Sequence, residues 1–243
     1  MNAHDRAALV GVVGSGHGGL INSAVASVSA NSCGCTPRVL IEYSRRRRAV
    51  PGWGVPPQQH GIPFMTTLRI VTAQINPVVG DIEGNTDKIL DTIARATAAH
   101  NPQLILFPEL VVTGYPPEDL LLRASLSHRV DRALQRIAQA TSEAYVIVGY
   151  PRSREDGLYN AAGVFYRGRM QYEYFKQCLP NYRVFDEKRY FREGKESLVF
   201  DFFGVPTAVS ICEDVWQDGP TSAARSQGAQ LMLNLSASPI SRG

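Results

Sequence analysis

Residues 205–216 read V-P-T-A-V-S-I-C-E-D-V-W. An apolar run rich in Val and Ile stops at Cys212, and two carboxylates, Glu213 and Asp214, follow at once. A short run of β-branched residues bounded by a glycine and by charge reads as a strand. The strand therefore delivers a thiol to its own end. A free cysteine packs as a small hydrophobe and is among the most buried residue types, so a purely structural cysteine belongs inside the apolar run. At a polar strand end a thiol is placed for nucleophilic chemistry, although this stretch alone leaves core packing open as the alternative.

Working outward, the neighbouring segments alternate in character. Ser197 to Phe203 pairs with Val205 to Ile211 about Gly204, and Leu158 to Tyr166 pairs with Met170 to Lys176 about Arg167-Gly168, both as hairpins. Upstream, Leu68 to Ile75, Leu104 to Phe107 and Tyr145 to Tyr150 read as buried strands. Between them lie a helix from Asn85, read as its cap, to about His100, and a helical region from Glu118 to Thr141 broken near Ser125 or Ser127. A short helix at Thr221 to Gln227 precedes a last strand at Leu231 to Leu235. Strands and helices alternate first and adjacent strands pair later, which gives an α/β class with mixed pairing.

The first 64 residues have a different texture. Leu9 to Val13 followed by Gly14-Ser15-Gly16-His17-Gly18-Gly19 fits a dinucleotide glycine pattern, but the Ser, Ala and Val that follow supply no apolar stripe for a helix that packs on a sheet. Residues 1–64 are therefore expected to be an unstructured or mis-annotated leader, with Met65 a credible start. Cys33 and Cys35 could bind a metal only with partners that are not evident nearby. The net charge of +3 belongs to this leader, which holds six Arg, four of them at 45–48, against Asp5 and Glu42. The body has 19 basic and 20 acidic residues, so it offers no electrostatic case for nucleic acid or for a membrane surface. Four cysteines (33, 35, 178, 212) make no disulfide framework and fit a reducing cytoplasm.

In open α/β sheets ligands bind beyond the carboxyl ends of the strands. Glu109, Lys176 and Cys212 each stand at such an end. Separately they read as a loop carboxylate, a solvated edge lysine and a packed cysteine. Together they make a chemical set: a thiol needs a base, which Glu109 can be, and a tetrahedral oxyanion needs a positive donor, which Lys176 can be. The same carboxylate can protonate a leaving amine and later activate water.

On these residues and on longer strings the body resembles the nitrilase, or carbon-nitrogen hydrolase, superfamily, and in particular the glutaminase domain of the glutamine-dependent NAD synthetase family. The strings are L-R-I-V-T-A-Q-I-N-P-V-V-G-D-I-E-G-N (68–85), F-P-E-L-V-V-T-G-Y-P-P-E-D-L (107–120), Y-N-A-A (159–162), K-Q-C-L-P-N-Y-R-V-F-D-E-K-R-Y-F (176–191), S-I-C-E-D-V-W (210–216) and N-L-S-A-S-P (234–239). They cover the body and none of the leader, so residues 65–243 are expected to be a partial domain of this kind. The resemblance implies a four-layer α-β-β-α sandwich with Cys212 as nucleophile, Glu109 as general base and Lys176 as oxyanion-stabilising lysine. Glu187 matches a supporting glutamate. Tyr115 and Tyr182 match positions near a glutamine pocket, and Glu213, Trp216 and Ser238 match the surroundings of the substrate's amino-acid end.

The implied reaction is hydrolysis of L-glutamine through a cysteine thioester, a step with no cofactor or metal. ATP, Mg and deamido-NAD would serve a synthetase domain that these 243 residues do not include. Full-length members would be homo-oligomers. The strings end at A-S-P, close to Gly243, so the last elements of the sandwich are expected to be missing and the isolated chain to be poorly soluble or inactive.

Overall fold

Alternation along the strands decides the layering. The computed structural model describes residues 10–14, 40–46, 65–182 and 186–237, with side chains from residue 68 onward. In chain order the elements are β1 (Val10–Gly14), β2 (Leu40–Arg46), β3 (Met65–Thr72), α1 (Ile82–His100), β4 (Leu104–Leu106), α2 (Ser125–Ala140), β5 (Tyr145–Arg154), β6 (Gly157–Tyr166), β7 (Arg169–Phe175), β8 (Leu198–Phe202), β9 (Val205–Ile211), α3 (Asp218–Ser226) and β10 (Leu231–Leu235). Short 3-10 turns occupy Glu118–Leu122, Glu187–Arg189 and Cys212–Val215. Six strands form one sheet in the order β2-β3-β4-β5-β6-β7, and four form a second in the order β1-β10-β9-β8. Both sheets mix parallel and antiparallel pairs, β3-β4-β5 and β9-β10 being the parallel ones.

Side chains two apart share a sheet face. Leu68 and Ile70, Leu104 and Leu106, Ile147, Ala162 and Val164 point from the six-stranded sheet into one apolar seam. Phe200, Phe202, Val205, Val209, Ile211, Leu231, Leu233 and Leu235 meet them from the other sheet. The intervening residues Val71, Ile105, Val146 and Val148 face the opposite way and pack under α1 and α2, on Ile89, Ile93, Val130, Leu134 and Ile137. The inner face of the four-stranded sheet is filled by this seam, to which α3 contributes nothing, so the β9-α3-β10 crossover lies on its outer face. The layers run α-β-β-α. Each fully buried Leu, Ile or Phe in the seam is worth about 1.5–3 kcal/mol relative to exposure.

Local chemistry explains most boundaries. Both hairpins turn on paired positive φ, at Arg167-Gly168 (49° and 79°) and Phe203-Gly204 (49° and 83°), the geometry that makes glycine the favoured second turn residue. The cap of α1 differs from expectation. Asp81 caps the helix by accepting from Gly84 N at 3.0 Å, whereas the buried Asn85 carboxamide ties the helix to the loop, accepting from Val78 N at 2.7 Å and donating to Val78 O and Val112 O. A buried amide must satisfy both its ends, and a cap position would have satisfied one. The helix at 221–227 begins earlier, at Asp218.

The leader also differs at two segments. Val10–Gly14 pairs antiparallel with β10, and Leu40–Arg46 antiparallel with β3, each at a sheet edge. An edge presents unpaired N–H and C=O groups that an extended segment can satisfy. The glycines beyond Gly14 and both leader cysteines lie outside the described residues. Among the described residues no helix is long and apolar enough to cross a membrane.

Candidate active site

Glu109 follows β4 in a turn laid directly on β5. A Cβ added to Gly149 would stand 2.4 Å from Leu110 N and 2.8 Å from Glu109 Cα, so the turn can lie this low only over a glycine. Lys176 is the first residue past β7, and its N–H extends the ladder by donating to Asn160 O at 2.9 Å. Glu187 arrives from the loop after β7, on a single 3-10 turn.

These three meet out of solvent: Lys176 is 0%, Glu109 1% and Glu187 5% exposed. Lys176 Nζ donates to Glu109 Oε1 at 2.7 Å and to Glu187 Oε1 at 2.8 Å. Glu187 Oε2 also lies 2.8 Å from Nζ but without hydrogen-bonding alignment. Asn160 Nδ2 donates to Glu109 Oε1 at 2.8 Å, Ala237 N to Glu109 Oε2 at 3.2 Å, and Tyr115 OH to Glu187 Oε1 at 3.1 Å.

A buried ammonium survives only when paired. Burial alone would lower the proton affinity of Lys176, but the charges of Glu109 and Glu187 outweigh it and hold the group above the ordinary lysine range. Two carboxylates share that one cation. Burial, with the repulsion of Glu109, therefore pushes the Glu187 carboxyl up to about 7 despite Lys176 and Tyr115. Tyr115, raised by burial and by both glutamates, stays a neutral donor.

Cys212 comes from the other sheet. It opens the 3-10 turn directly after β9 with φ at +44°, and it is 9% exposed. A non-glycine residue in the left-handed region is costly and concentrates at functional sites. Here it makes an abrupt strand-to-helix elbow that takes the thiol out of the strand's alternation. Cys212 is close enough that a negative charge on it would raise the proton affinity of both Lys176 and Tyr115.

Asp214, two residues on, is 0% exposed. It accepts from Gln177 N (3.1 Å), Cys178 N (2.7 Å), Ile211 N (3.0 Å) and Tyr174 OH (2.8 Å).

The other residues singled out in the sequence are placed less uniformly. Tyr115 joins the charged cluster through Glu187. Tyr182 and Glu213 pair with each other at 3.0 Å near the surface, and Trp216, 78% exposed, faces solvent. Ser238 lies outside the described residues. Two polar contributors were not singled out: Asn160, inside the quoted Y-N-A-A string, and Asp214, beside Glu213. Their signal was a polar residue at an otherwise apolar strand position and a second carboxylate after the thiol. Among the described residues no group of three or more His, Cys, Asp or Glu could hold a metal ion.

In chemical terms the site offers a thiol at an elbow, a buried carboxylate able to hold or give up a proton, and an ammonium fixed between two carboxylates. Such a set suits acyl transfer from an amide.

The profile of one protein family, carbon-nitrogen hydrolase, matches residues 69–242. A glutamine-dependent NAD(+) synthetase of Xanthomonas campestris pv. campestris (strain 8004) is 45% identical over 179 residues, 73% of this chain and 32% of that protein. The solved glutamine-dependent NAD+ synthetase of Acinetobacter baumannii, in complex with adenosine diphosphate, is similar with a TM-score of 0.68 and 37% identity over 72% of this chain and 33% of that one. An amidase from Nesterenkonia sp. AN1, solved as a mutant with acrylamide added at its active site cysteine, gives a TM-score of 0.61 and 25% identity over 67% of this chain and 64% of that one. The chain spans about a third of the length of the NAD synthetases it matches.

Proposed function

Because the chain belongs to the carbon-nitrogen hydrolase family, we propose that it hydrolyses the side-chain amide of L-glutamine to glutamate and ammonia through a γ-glutamyl thioester on Cys212. The observation that carries this reading is the fully buried ammonium of Lys176 bound to Glu109 at 2.7 Å, in a fold whose other sheet ends in the Cys212 elbow. The identity to glutamine-dependent NAD synthetases supports glutamine as the amide.

Glu109 takes the thiol proton, and the Cys212 sulfur attacks the amide carbon. The C–S bond forms as the carbonyl π pair moves to oxygen, where Lys176 balances the developing charge. Collapse of the tetrahedral adduct breaks the C–N bond, and the departing nitrogen takes the proton held on Glu109, leaving as ammonia. Glu109 then takes a proton from water, the hydroxide oxygen attacks the thioester, and the C–S bond breaks with the proton returned to sulfur. Glutamate is released and the site is restored. Glu187 holds Lys176 from its other side, and Asn160 fixes which Glu109 oxygen faces the lysine.

The ammonia would go on to ATP-dependent amidation of deamido-NAD to NAD in a synthetase partner domain, as the resemblance implies; the relatives' name, glutamine-dependent NAD(+) synthetase, supports NAD synthesis that depends on glutamine. The similarity to the Nesterenkonia amidase favours one alternative, a family amidase acting on another small amide. Ammonia release from L-glutamine, acetamide and propionamide by the purified chain separates the two, and release together with a cooperative thermal transition overturns the expectation of a poorly soluble or inactive chain. Glutamine is expected to exceed both aliphatic amides in kcat/KM by at least about tenfold. Equal or inverted preference would assign the amidase reading.

A further inference from the structure

The reacting groups come from two sheets. Glu109, Asn160 and Lys176 lie on the six-stranded sheet, and Cys212 lies on the four-stranded one. Between the sheets lies an apolar seam of Leu, Ile, Val and Phe. Hydrophobic contact is non-directional, so the seam holds the sheets together without by itself fixing how far one slides along the other. Catalysis needs that setting to be sharp, since a misplacement of about 1 Å costs on the order of 100-fold.

Asp214 bridges the gap. It belongs to the turn after β9, yet three of its four donors come from the end of β7: Tyr174 OH, Gln177 N and Cys178 N. Those donors bracket Lys176 in sequence. The fourth, Ile211 N, immediately precedes Cys212. Every bond therefore lands within two residues of the lysine or the cysteine, and the carboxylate is wholly buried. Charge-assisted bonds of this kind are directional and stronger than neutral ones. One other described polar contact ties the base itself to the four-stranded sheet, Ala237 N to Glu109 Oε2, and it is longer, at 3.2 Å.

We propose that Asp214 is a positioning residue, a latch that sets the cysteine-bearing sheet in register with the lysine-bearing sheet and so fixes the Cys212-to-Lys176 geometry. The proposal rests on the thioester reading above and adds to it a residue whose described hydrogen bonds all go to neighbours of the reacting groups.

The test uses D214N and Y174F in the full chain. D214N keeps the size of the side chain but turns one acceptor into a donor, so the bonds on one side are lost, either to Gln177 and Cys178 or to Ile211. Y174F removes a single bond and leaves the backbone partners in place. With glutamine, D214N is expected to lower kcat about 100-fold with KM within about threefold, and Y174F to lower kcat about fivefold with KM unchanged. Alkylation of Cys212 by iodoacetamide, followed on its own peptide by mass spectrometry, should slow about tenfold in D214N.

A residue that only stabilised the fold would lower the melting temperature and leave the kcat of the remaining folded molecules at the wild-type value. That result in both variants would overturn the latch. Should D214N fail to fold, Y174F decides by the same criterion. Should the wild type release no ammonia from glutamine, the glutaminase reading fails, and the alkylation rates still decide about Asp214: equal rates overturn it, and slowed alkylation in D214N supports it.

Discussion

The two sheets solve the same problem, presenting a reactive group at a strand end, by different means. On the six-stranded sheet Glu109, Lys176 and Glu187 are fixed by charge: two carboxylates lie within 2.8 Å of one ammonium, and all three groups are at most 5% exposed. On the four-stranded sheet Cys212 is fixed by backbone, through a left-handed elbow with the Asp214 carboxylate just behind it. A thiol is a poor partner for strong hydrogen bonds, so its position has to be set by the chain that carries it. Charged groups attract their own partners and tolerate a flexible lysine stem. The difference teaches where each half is vulnerable. The charged half fails when a partner is removed, and the thiol half fails when the chain moves.

The comparison is broken most completely by Cys212→Ala, which removes the proposed nucleophile and leaves the charged half untouched. Ammonia release from glutamine should fall below detection while the circular-dichroism melting curve stays near that of the wild type. Lys176→Met attacks the other half. It should cost about 100- to 1,000-fold in kcat as the proposed oxyanion partner is lost. Unlike the cysteine variant, it should also lower stability by roughly 3–5 kcal/mol in urea unfolding, because two buried carboxylates lose their counter-charge. A rate loss below about tenfold would remove Lys176 from the oxyanion role.

Asn160→Ala sharpens the contrast with a milder change within the charged half. It deletes one hydrogen bond to the Glu109 carboxylate, worth about 1.5–3 kcal/mol for a charged acceptor. A fall in kcat of about tenfold or somewhat more is expected, with little change in iodoacetamide reactivity at Cys212.

The smallest effect is a pH dependence of stability that belongs to the charged half alone. The Glu187 carboxyl is raised in the folded chain from its ordinary 4.5 to about 7, so the folded state holds a proton that the unfolded state has released. Its contribution to stability is intact below about pH 4.5 and is lost as pH rises through about 7. The urea midpoint of the wild type should therefore fall between pH 5 and pH 8 relative to that of Glu187→Gln, whose amide does not titrate. Parallel pH curves for the two proteins would count against the raised Glu187.

Much of this was legible in the residues. The hairpin turns at Arg167-Gly168 and Phe203-Gly204 are local, because the turn geometry is set by two residues and their φ angles. The break between Leu122 and Ser125 in the helical region was visible in its serines. Asn85 was misread because a residue good at capping is also good at bridging a buried loop, and only Val112, in the turn after β4, decides which. The leader segments at 10–14 and 40–46 were not read as strands of these sheets, since edge pairing depends on backbone that the segment's own sequence does not specify. Tyr182 and Trp216 match pocket positions by resemblance, and their exposure, 51% and 78%, is a property that no string displays.

The sequence by itself determined which groups stand at strand ends, because a strand's end is written in the local change from apolar to polar. The four-layer order came from the family resemblance alone, since a period of two assigns each side chain to one face or the other without saying what covers that face. Only the tertiary structure decided that Glu109 and Lys176 share one buried ion pair, that Asn160 completes it, and that Asp214 ties the end of β7 to the elbow after β9. Those are contacts between residues 36 to 67 positions apart. Their partners are selected by how two apolar sheet faces come together, and the non-directional packing that drives the sheets together leaves no mark on the residues whose polar contacts set the final register.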